Sequence, residues 1–382
     1  MMEINSLTTN VSGVQTVGEC IAEHFTTFGF SPEFIPTKNS NHGSHLVLRR
    51  PIVPEAPTIT LITHLDTVFS ESEEQENDFS WRLEGDRIYG PGANDIKGGT
   101  AAIHLLLKVL QEAAPSLFEG VNWMVLANAC EEVDSKDFGE MCQRLLPKDT
   151  RACLIFEADG GPRSQPLLVE ARKGRATIRI DVESRGAHAG SAHHQGANAI
   201  VALAEIVQEV SQLTNYNAGL TLNVGVIEGG TVTNRVPHHA SAELEVRAFE
   251  TEVFDEALSK IIALKGSRHG SRVSVDVLNI DPPWSPNSDS QDLLKVWQLA
   301  GAELDVPVAS MTRGGLSDGN VLWQHFPTLD GLGPSGENCH CSVRSADSEK
   351  DQEWVDAKSF VPKTVLNALA LSNLVAESSV QK

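Results

Sequence analysis

The run Thr58-Ile59-Thr60-Leu61-Ile62-Thr63-His64-Leu65-Asp66-Thr67 decides how the chain is read. Its apolar first half predicts a buried strand. The strand passes directly into a His and an Asp two residues apart. Open α/β sheets place their ligands outside the carboxyl ends of the strands, where this pair would fall. One ring nitrogen of His64 would then be free for a metal, while Asp66 takes the proton on the other and fixes the tautomer. Alone, a His-x-Asp pair is more often a surface coincidence.

Two further apolar runs repeat the pattern. Residues 121–129 predict a strand that ends at Glu131-Glu132, and residues 152–156 predict one that ends at Glu157 and Asp159. Adjacent glutamates are commonly just solvated charges. Three strands delivering His or carboxylate at the same end is a different matter, because in a parallel sheet those ends share one rim. Between the first two lies Gly90-Pro91-Gly92-Ala93-Asn94-Asp95-Ile96-Lys97-Gly98-Gly99, ahead of an expected helix at 101–110. Its glycines permit a tight path and close backbone approach. Asp95 there is open to two readings, a helix cap or a ligand. His340 follows in Gly336-Glu337-Asn338-Cys339-His340-Cys341, a loop with no helical stripe to bury it.

At 382 residues the chain exceeds one ordinary core, so two domains are expected. Before the first strand the sequence predicts a helix ending at Gly29 and short extended pieces near 34–35 and 45–48; the Glu-crowded stretch 70–78 reads as a solvated loop. From about Arg172 the pattern changes to alternation, as in Ile178, Ile180 and Val182, so one face of the sheet is wet. The expected order over 172–283 is βαββαβ, that of a ferredoxin-like unit. We assign 1–171 and 284–382 to an α/β domain with a mixed, largely parallel sheet, and 172–283 to a domain inserted into it. After the insert come a helix at 290–302, a short strand at 306–309, a glycine-rich loop at 311–320 without the Lys-Ser/Thr ending of a phosphate-binding loop, and a closing helix at 361–374.

A net charge of −21 argues against nucleic acid and anionic membranes as partners. It is ascribed to a solvated acidic surface or, in part, to carboxylates gathered around cations. No basic region followed by an apolar run marks a signal peptide, and no long charge-free apolar stretch marks a membrane span. Six cysteines without a CxxC pair fit reduced thiols in the cytoplasm.

Taken together, the rim residues offer imidazole and carboxylate without thiolate, a donor set suited to zinc, with manganese or cobalt as substitutes. Five of them could hold two metals if one carboxylate bridges, and Asp95 is the choice for the bridge. His64, Asp95 and Glu157 then form one triad, and Asp95, Glu132 and His340 the other. Glu131 is left without a metal. A carboxylate beside an activated water is the expected general base, and the implied reaction is hydrolysis of an amide. Two-metal phosphoester hydrolysis uses the same clamp, and a non-catalytic metal or peptide binder could retain the fold; a free Glu131 argues against the binder.

These motifs, His64-Leu65-Asp66, Gly92 to Gly99, Glu131-Glu132, Glu157 and His340, resemble those of a zinc aminoacylase and carboxypeptidase family. It includes glutamate carboxypeptidase, acetylornithine deacetylase, succinyl-diaminopimelate desuccinylase and aminoacylase. The resemblance runs over nearly the whole chain, and the inserted unit matches that family's lid and dimerisation domain, which implies a homodimer. It also implies roles that spacing cannot give. His188, in Arg185-Gly186-Ala187-His188-Ala189-Gly190, matches a lid histidine that polarises the scissile carbonyl; otherwise it reads as a surface His. Asn234, in Gly229-Gly230-Thr231-Val232-Thr233-Asn234-Arg235, matches a contact to the substrate's carboxylate end. Arg247 matches a lid Arg that holds a carboxylate, or else pairs with an acid on a wet strand face. Arg313-Gly314-Gly315 resembles the substrate loop of the glutamate carboxypeptidase branch. Two Arg forks suit a substrate with more than one carboxylate, a small molecule or short peptide with a free carboxylate. The chain departs from the family in the cysteines at 130, 339 and 341 and in Ser342-Val343-Arg344-Ser345-Ala346-Asp347, which stands where a short acidic stretch is usual.

Overall fold

The structure is a computed structural model and describes residues 1–159, 165–347 and 349–380. The chain divides into two compact units, 1–170 with 287–312 and 317–382, and 171–286 with 313–316. Residues 313–316, which the sequence places in the first domain, cluster with the second unit.

The first unit is built on a six-stranded sheet. Its order is Ser31–Pro36, Ser44–Arg49, Asn122–Asn128, Thr58–His64, Ala152–Ile155 and Thr328–Leu329. The first two pairings are antiparallel. The remaining three are parallel, with His64 level with Asn128. Both faces are covered, which explains why the strands read as continuous apolar runs. Leu61, Val125 and Leu154 face a large core filled by the helices Val11–Thr26, Gly98–Ala113, Ser288–Glu303 and Phe360–Val380. Their neighbours Ile62, Leu126 and Ile155 face a smaller core capped by Phe138 and Met141 of the helix Lys136–Leu145.

Three local expectations change. The stretch 70–78 is not a loop throughout: Glu71–Glu76 is a short helix, with Ser70 accepting from Glu73 N at 3.2 Å. Its crowded glutamates lie in the first turn, where the helix dipole favours negative charge. The strand expected at 306–309 runs instead over Ala309–Arg313, because Val306 is used to close the preceding helix, its N–H donating to Gly301 O. A four-stranded antiparallel sheet, Gly336–Glu337, Trp354–Asp356, Arg87–Tyr89 and Arg82–Glu84, was not read from the sequence.

The second unit is an antiparallel sheet in the order Thr221–Gly229, His239–Ala248, Gly174–Glu183, Ser271–Asp281, with Gly266–Arg268 added at one edge. Numbered along the chain, its four long strands lie 2-3-1-4, the ferredoxin-like arrangement. The helices Ala199–Ser211 and Thr251–Ile262 cover one face only. Gly174–Glu183 accordingly alternates buried and half-buried positions along nearly its whole length. Among the described residues no helix is long and apolar enough to cross a membrane.

Candidate metal centre

The parallel strands of the first unit end in the candidate ligands. His64 is the last residue of its strand, Glu131 and Glu132 lie in the turn beyond Asn122–Asn128, and Glu157 follows Ala152–Ile155. Asp95 lies in the kinked segment Ala93–Lys97, with Gly92 before it at φ +75° and a cis bond after it. Gly99, at the start of the next helix, lets that helix approach the Phe156 carbonyl so closely that a Cβ would stand 2.0 Å from its oxygen. Both glycines serve the path that brings Asp95 to the rim.

The donors converge. His64 Nε2 is 2.9 Å from Asp95 Oδ1 and 3.7 Å from Glu157 Oε1. His340 Nε2 is 3.3 Å from Asp95 Oδ2 and 3.2 Å from Glu132 Oε2. Two triads therefore share Asp95, each with its donor atoms within 4.8 Å of one another. His64 Nδ1 donates to the Asp66 carbonyl at 3.0 Å, which turns Nε2 toward Asp95 and Glu157. Glu132 Oε1 is buried without a hydrogen-bond partner. Lone pairs gathered this densely favour cations, and a set of two imidazoles and three carboxylates fits two borderline divalent ions.

The electrostatics agree with that need. Burial, then the charge of Asp95, pushes Glu132 up to about 7. Burial drives Glu131 well above the usual carboxylate range. Hydrogen bonds to Asp95 and Glu132 carry His340 up to about 11. These are the marks of acceptors packed together. Among the described residues the Glu131 carboxylate makes no hydrogen bond or ion pair, although it lies in the fields of His64, Glu132 and Glu157. The neighbouring Asp159 is paired with Lys363 at 2.9 Å.

Asp66, expected to take the His64 ring proton on its carboxylate, is bonded otherwise, and Thr8 and Glu353 escaped the sequence reading. Asp66 gives its carboxylate chiefly to backbone: Oδ1 accepts from Glu131 N at 3.1 Å, and Oδ2 from Glu132 N at 3.3 Å and from Thr8 Oγ1 at 2.7 Å. It stands 3.4 Å from His64 Nδ1, farther than its own carbonyl. Glu353, fully buried, accepts from Asn94 N and Asp95 N through Oε1 at 2.8 and 3.1 Å, and from His340 N through Oε2 at 3.2 Å. It thus ties the loop of one candidate ligand, Asp95, to the loop of another, His340. His340 is held there at φ +64°, a backbone region that costs a non-glycine residue energy and recurs at functional sites. The only hint in the sequence was an acid opening the short apolar run Trp354-Val355.

His188, Asn234, Arg247 and Arg313, expected on the substrate side, lie in the second unit. His188 is exposed, and its Nδ1 accepts from Gly190 N and Ser191 N, both at 3.1 Å, so its other nitrogen carries the proton outward. Asn234 is exposed, and its carbonyl accepts from Ala189 N. Arg247 forks onto Glu245 at 2.5 and 3.2 Å and donates to Gly314 O at 2.7 Å. The ion pair on a strand face, one of the two readings of this residue, is what the structure contains. Among the described residues the Arg313 guanidinium has no hydrogen-bond or ion-pair partner, and its loop is pinned by Arg172, which donates to Gly315 O and Leu316 O.

A largely parallel sheet with paired carboxylate–imidazole triads at its rim, interrupted by a ferredoxin-like unit, is the arrangement expected of a metal-dependent hydrolase of two domains. The comparisons with known proteins specify the kind. Residues 171–269 match the M20 peptidase dimerisation domain. Carboxypeptidase G2 of Pseudomonas sp. (strain RS-16) is 26% identical, covering 97% of this chain and 86% of its own length. Succinyl-diaminopimelate desuccinylase of Cupriavidus pinatubonensis is 26% identical over 80% of each chain. In fold the chain matches the crystal structure of aminopeptidase PepT from Bacillus cereus, with a TM-score of 0.77 at 22% identity over 98% of this chain and 96% of that one. The chain thus resembles M20 metallopeptidases, through the match of its second unit and its similarity to carboxypeptidase G2 over nearly its whole length.

Proposed function

We propose that this enzyme hydrolyses an amide or peptide bond next to a free carboxylate, in the manner of a glutamate carboxypeptidase. The observation that carries this reading is the geometry at Asp95: two triads share it, and Glu131 stands beside them unpaired. His64, Asp95 and Glu157 would hold one cation, and Asp95, Glu132 and His340 the other. Zinc is the first choice, with manganese or cobalt possible. Bound cations would lower the pKa of a water and polarise a carbonyl. Glu131 takes the proton from the attacking water and returns it to the leaving amine nitrogen. Its isolation from other partners leaves both lone pairs free for that transfer. Asp66 fixes the turn that presents it.

On the substrate side, the outward N–H of His188 suits a donor to the scissile carbonyl oxygen, and Asn234 a contact near the carboxylate end. The unpaired guanidinium of Arg313 suits a substrate carboxylate better than Arg247, whose fork Glu245 already fills. Carboxypeptidase G2 as a relative supports the carboxypeptidase subtype, and the desuccinylase relative supports the alternative, an N-acyl-amino-acid deacylase. We also infer a homodimer formed through the second unit. Its edge strand Thr221–Gly229 leaves Val226 and Ile227 exposed, an open edge suited to a second copy. Six free cysteines support a cytoplasmic location.

The test is turnover of acyl-glutamates beside N-acetyl amino acids, with Glu131→Gln as control. That variant should retain both cations and lose roughly 10²–10⁴-fold in kcat. Wild-type-like turnover by Glu131→Gln would refute the base assignment. Preference for acetylated neutral amino acids would replace the carboxypeptidase subtype with the deacylase.

A further inference from the structure

Four successive amides in the Glu131–Glu132 turn are each taken by a side chain. Ala129 N donates to His45 Nδ1 at 3.1 Å and Cys130 N to Asn128 Oδ1 at 3.0 Å. Glu131 N and Glu132 N donate to the two oxygens of Asp66. Backbone bonds from Val133 N and Asp134 N to Cys130 O close the far side of the turn, so its first four amides are the part that side chains hold. Asp66 already has a place in the proposed reaction. His45, buried on the strand Ser44–Arg49, has none.

His45 also belongs to a third group of potential metal donors, with Cys130 and Asp137. The ring speaks against a metal there. A neutral imidazole carries one proton. Because Nδ1 accepts the Ala129 amide, the proton must sit on Nε2, which leaves no lone pair for a cation. His64 is turned the other way, with its Nδ1 on a carbonyl and its Nε2 on the Asp95 carboxylate. Cys130 is likewise committed, its thiol donating to Asp134 O at 3.1 Å. Nε2 of His45 points instead to Asp137 Oδ2, 3.4 Å away, and the ring stands edge-on to Phe138, with centroids 5.4 Å apart.

We propose that His45 is a positioning residue for Glu131: a neutral, Nε2-protonated imidazole whose Nδ1 lone pair fixes the Ala129 amide and through it the direction in which the base is presented. This rests on Glu131 being the base. Removing the acceptor leaves a buried N–H that can be satisfied only by moving the turn, and displacement of a reacting group by about 1 Å costs on the order of 10²-fold in rate. Substrate contacts are untouched, so the loss belongs in kcat and not in KM.

The experiment compares His45→Asn, His45→Gln and His45→Leu in the full chain loaded with two cations, alongside Glu131→Gln. The asparagine oxygen falls near the Nδ1 position, whereas the glutamine amide reaches toward Nε2. His45→Asn should keep kcat within about threefold, while the other two lose roughly 10- to 100-fold with KM within about twofold. All should hold two cations per chain by elemental analysis. His45→Leu with wild-type kcat beside an inactive Glu131→Gln overturns the positioning role and leaves the base intact. His45→Asn no better than His45→Leu also overturns it. An active Glu131→Gln removes the base and this role with it. Should the variants fail to fold, hydrogen positions in a neutron structure of the wild-type protein decide. A proton on Nε2 with Nδ1 bare supports the inference; a proton on Nδ1, or a cation at Nε2, overturns it.

Discussion

Replacing Glu353 with glutamine separates the two proposed cation sites. The native carboxylate receives three backbone donors on two oxygens. Burial, then the charge of Asp95, pushes it up to about 8, and the three amides pull the other way by favouring the ionised form. A glutamine can keep only one side of this arrangement. With its oxygen toward Asn94 N and Asp95 N, the nitrogen faces the His340 amide, donor against donor. Leaving one buried N–H unsatisfied costs about 1–3 kcal/mol. At 1.4 kcal/mol per decade that shifts the placement of His340 by roughly 5- to 150-fold, in line with the 10- to 100-fold loss of affinity typical when a residue supporting a metal ligand is replaced. His340 is also the most exposed of the proposed ligands, with half of its side chain open to solvent, so little else holds it. The assay is chelator competition on the fully loaded protein, followed by elemental analysis. One cation of the pair should weaken about 10- to 100-fold, while the one sharing His64 and Glu157 changes less than about threefold. Glu353→Gln holding both cations as tightly as wild type would refute the reasoning, as would equal loss of both.

Two further outcomes follow from the buried polar network. Thr8→Ala removes the 2.7 Å donor to Asp66, a hydrogen bond to a charged group worth about 1.5–3 kcal/mol; the melting temperature should fall by several degrees and kcat with it, and Thr8→Ser should restore both. Unchanged melting in Thr8→Ala would show that the N-terminal segment does not support the site. Asp318, buried and accepting from Asn128 Nδ2 at 2.7 Å, is raised by burial from 3.8 to about 6. The folded state therefore binds more protons between those values, and stability falls as pH rises through that window. Asp318→Asn lacks this fall, so metal-free variant protein should be more stable than metal-free wild type at pH 8, by at most about 3 kcal/mol, and no more stable at pH 3.5. Denaturant melts at the two pH values check it; an equal gain at both would mean that charge is not the cause.

What could be read from the sequence, and what could not, divides along one physical line. The strands of the first sheet are buried on both faces, so their apolar runs stand out, and His64, Glu131, Glu132 and Glu157 are visible as polar residues that interrupt those runs at one end. The change from continuous to alternating patterning likewise marks where a two-sided sheet gives way to a one-sided one, as at Ile178, Ile180 and Val182. The short helix after Ser70 was legible through its cap and was overlooked because its glutamates resemble solvated charge. The residues that support the site were not legible. Thr8 donates to the carboxylate of Asp66, 58 positions away, while His45 and Glu353 accept from the amides of Ala129 and Asn94, 84 and 259 positions away. Their effect is on backbone direction, and a backbone N–H has no letter in the sequence. A ligand must be a particular residue type and can be guessed from chemistry; an acceptor for an amide can be nearly any polar side chain that the fold brings within 3 Å. His45 and His64 make the point within one protein. Both are buried histidines at strand positions, identical as letters, and what separates the proposed metal ligand from the framework residue is only whether the group facing Nδ1 is a carbonyl or an N–H.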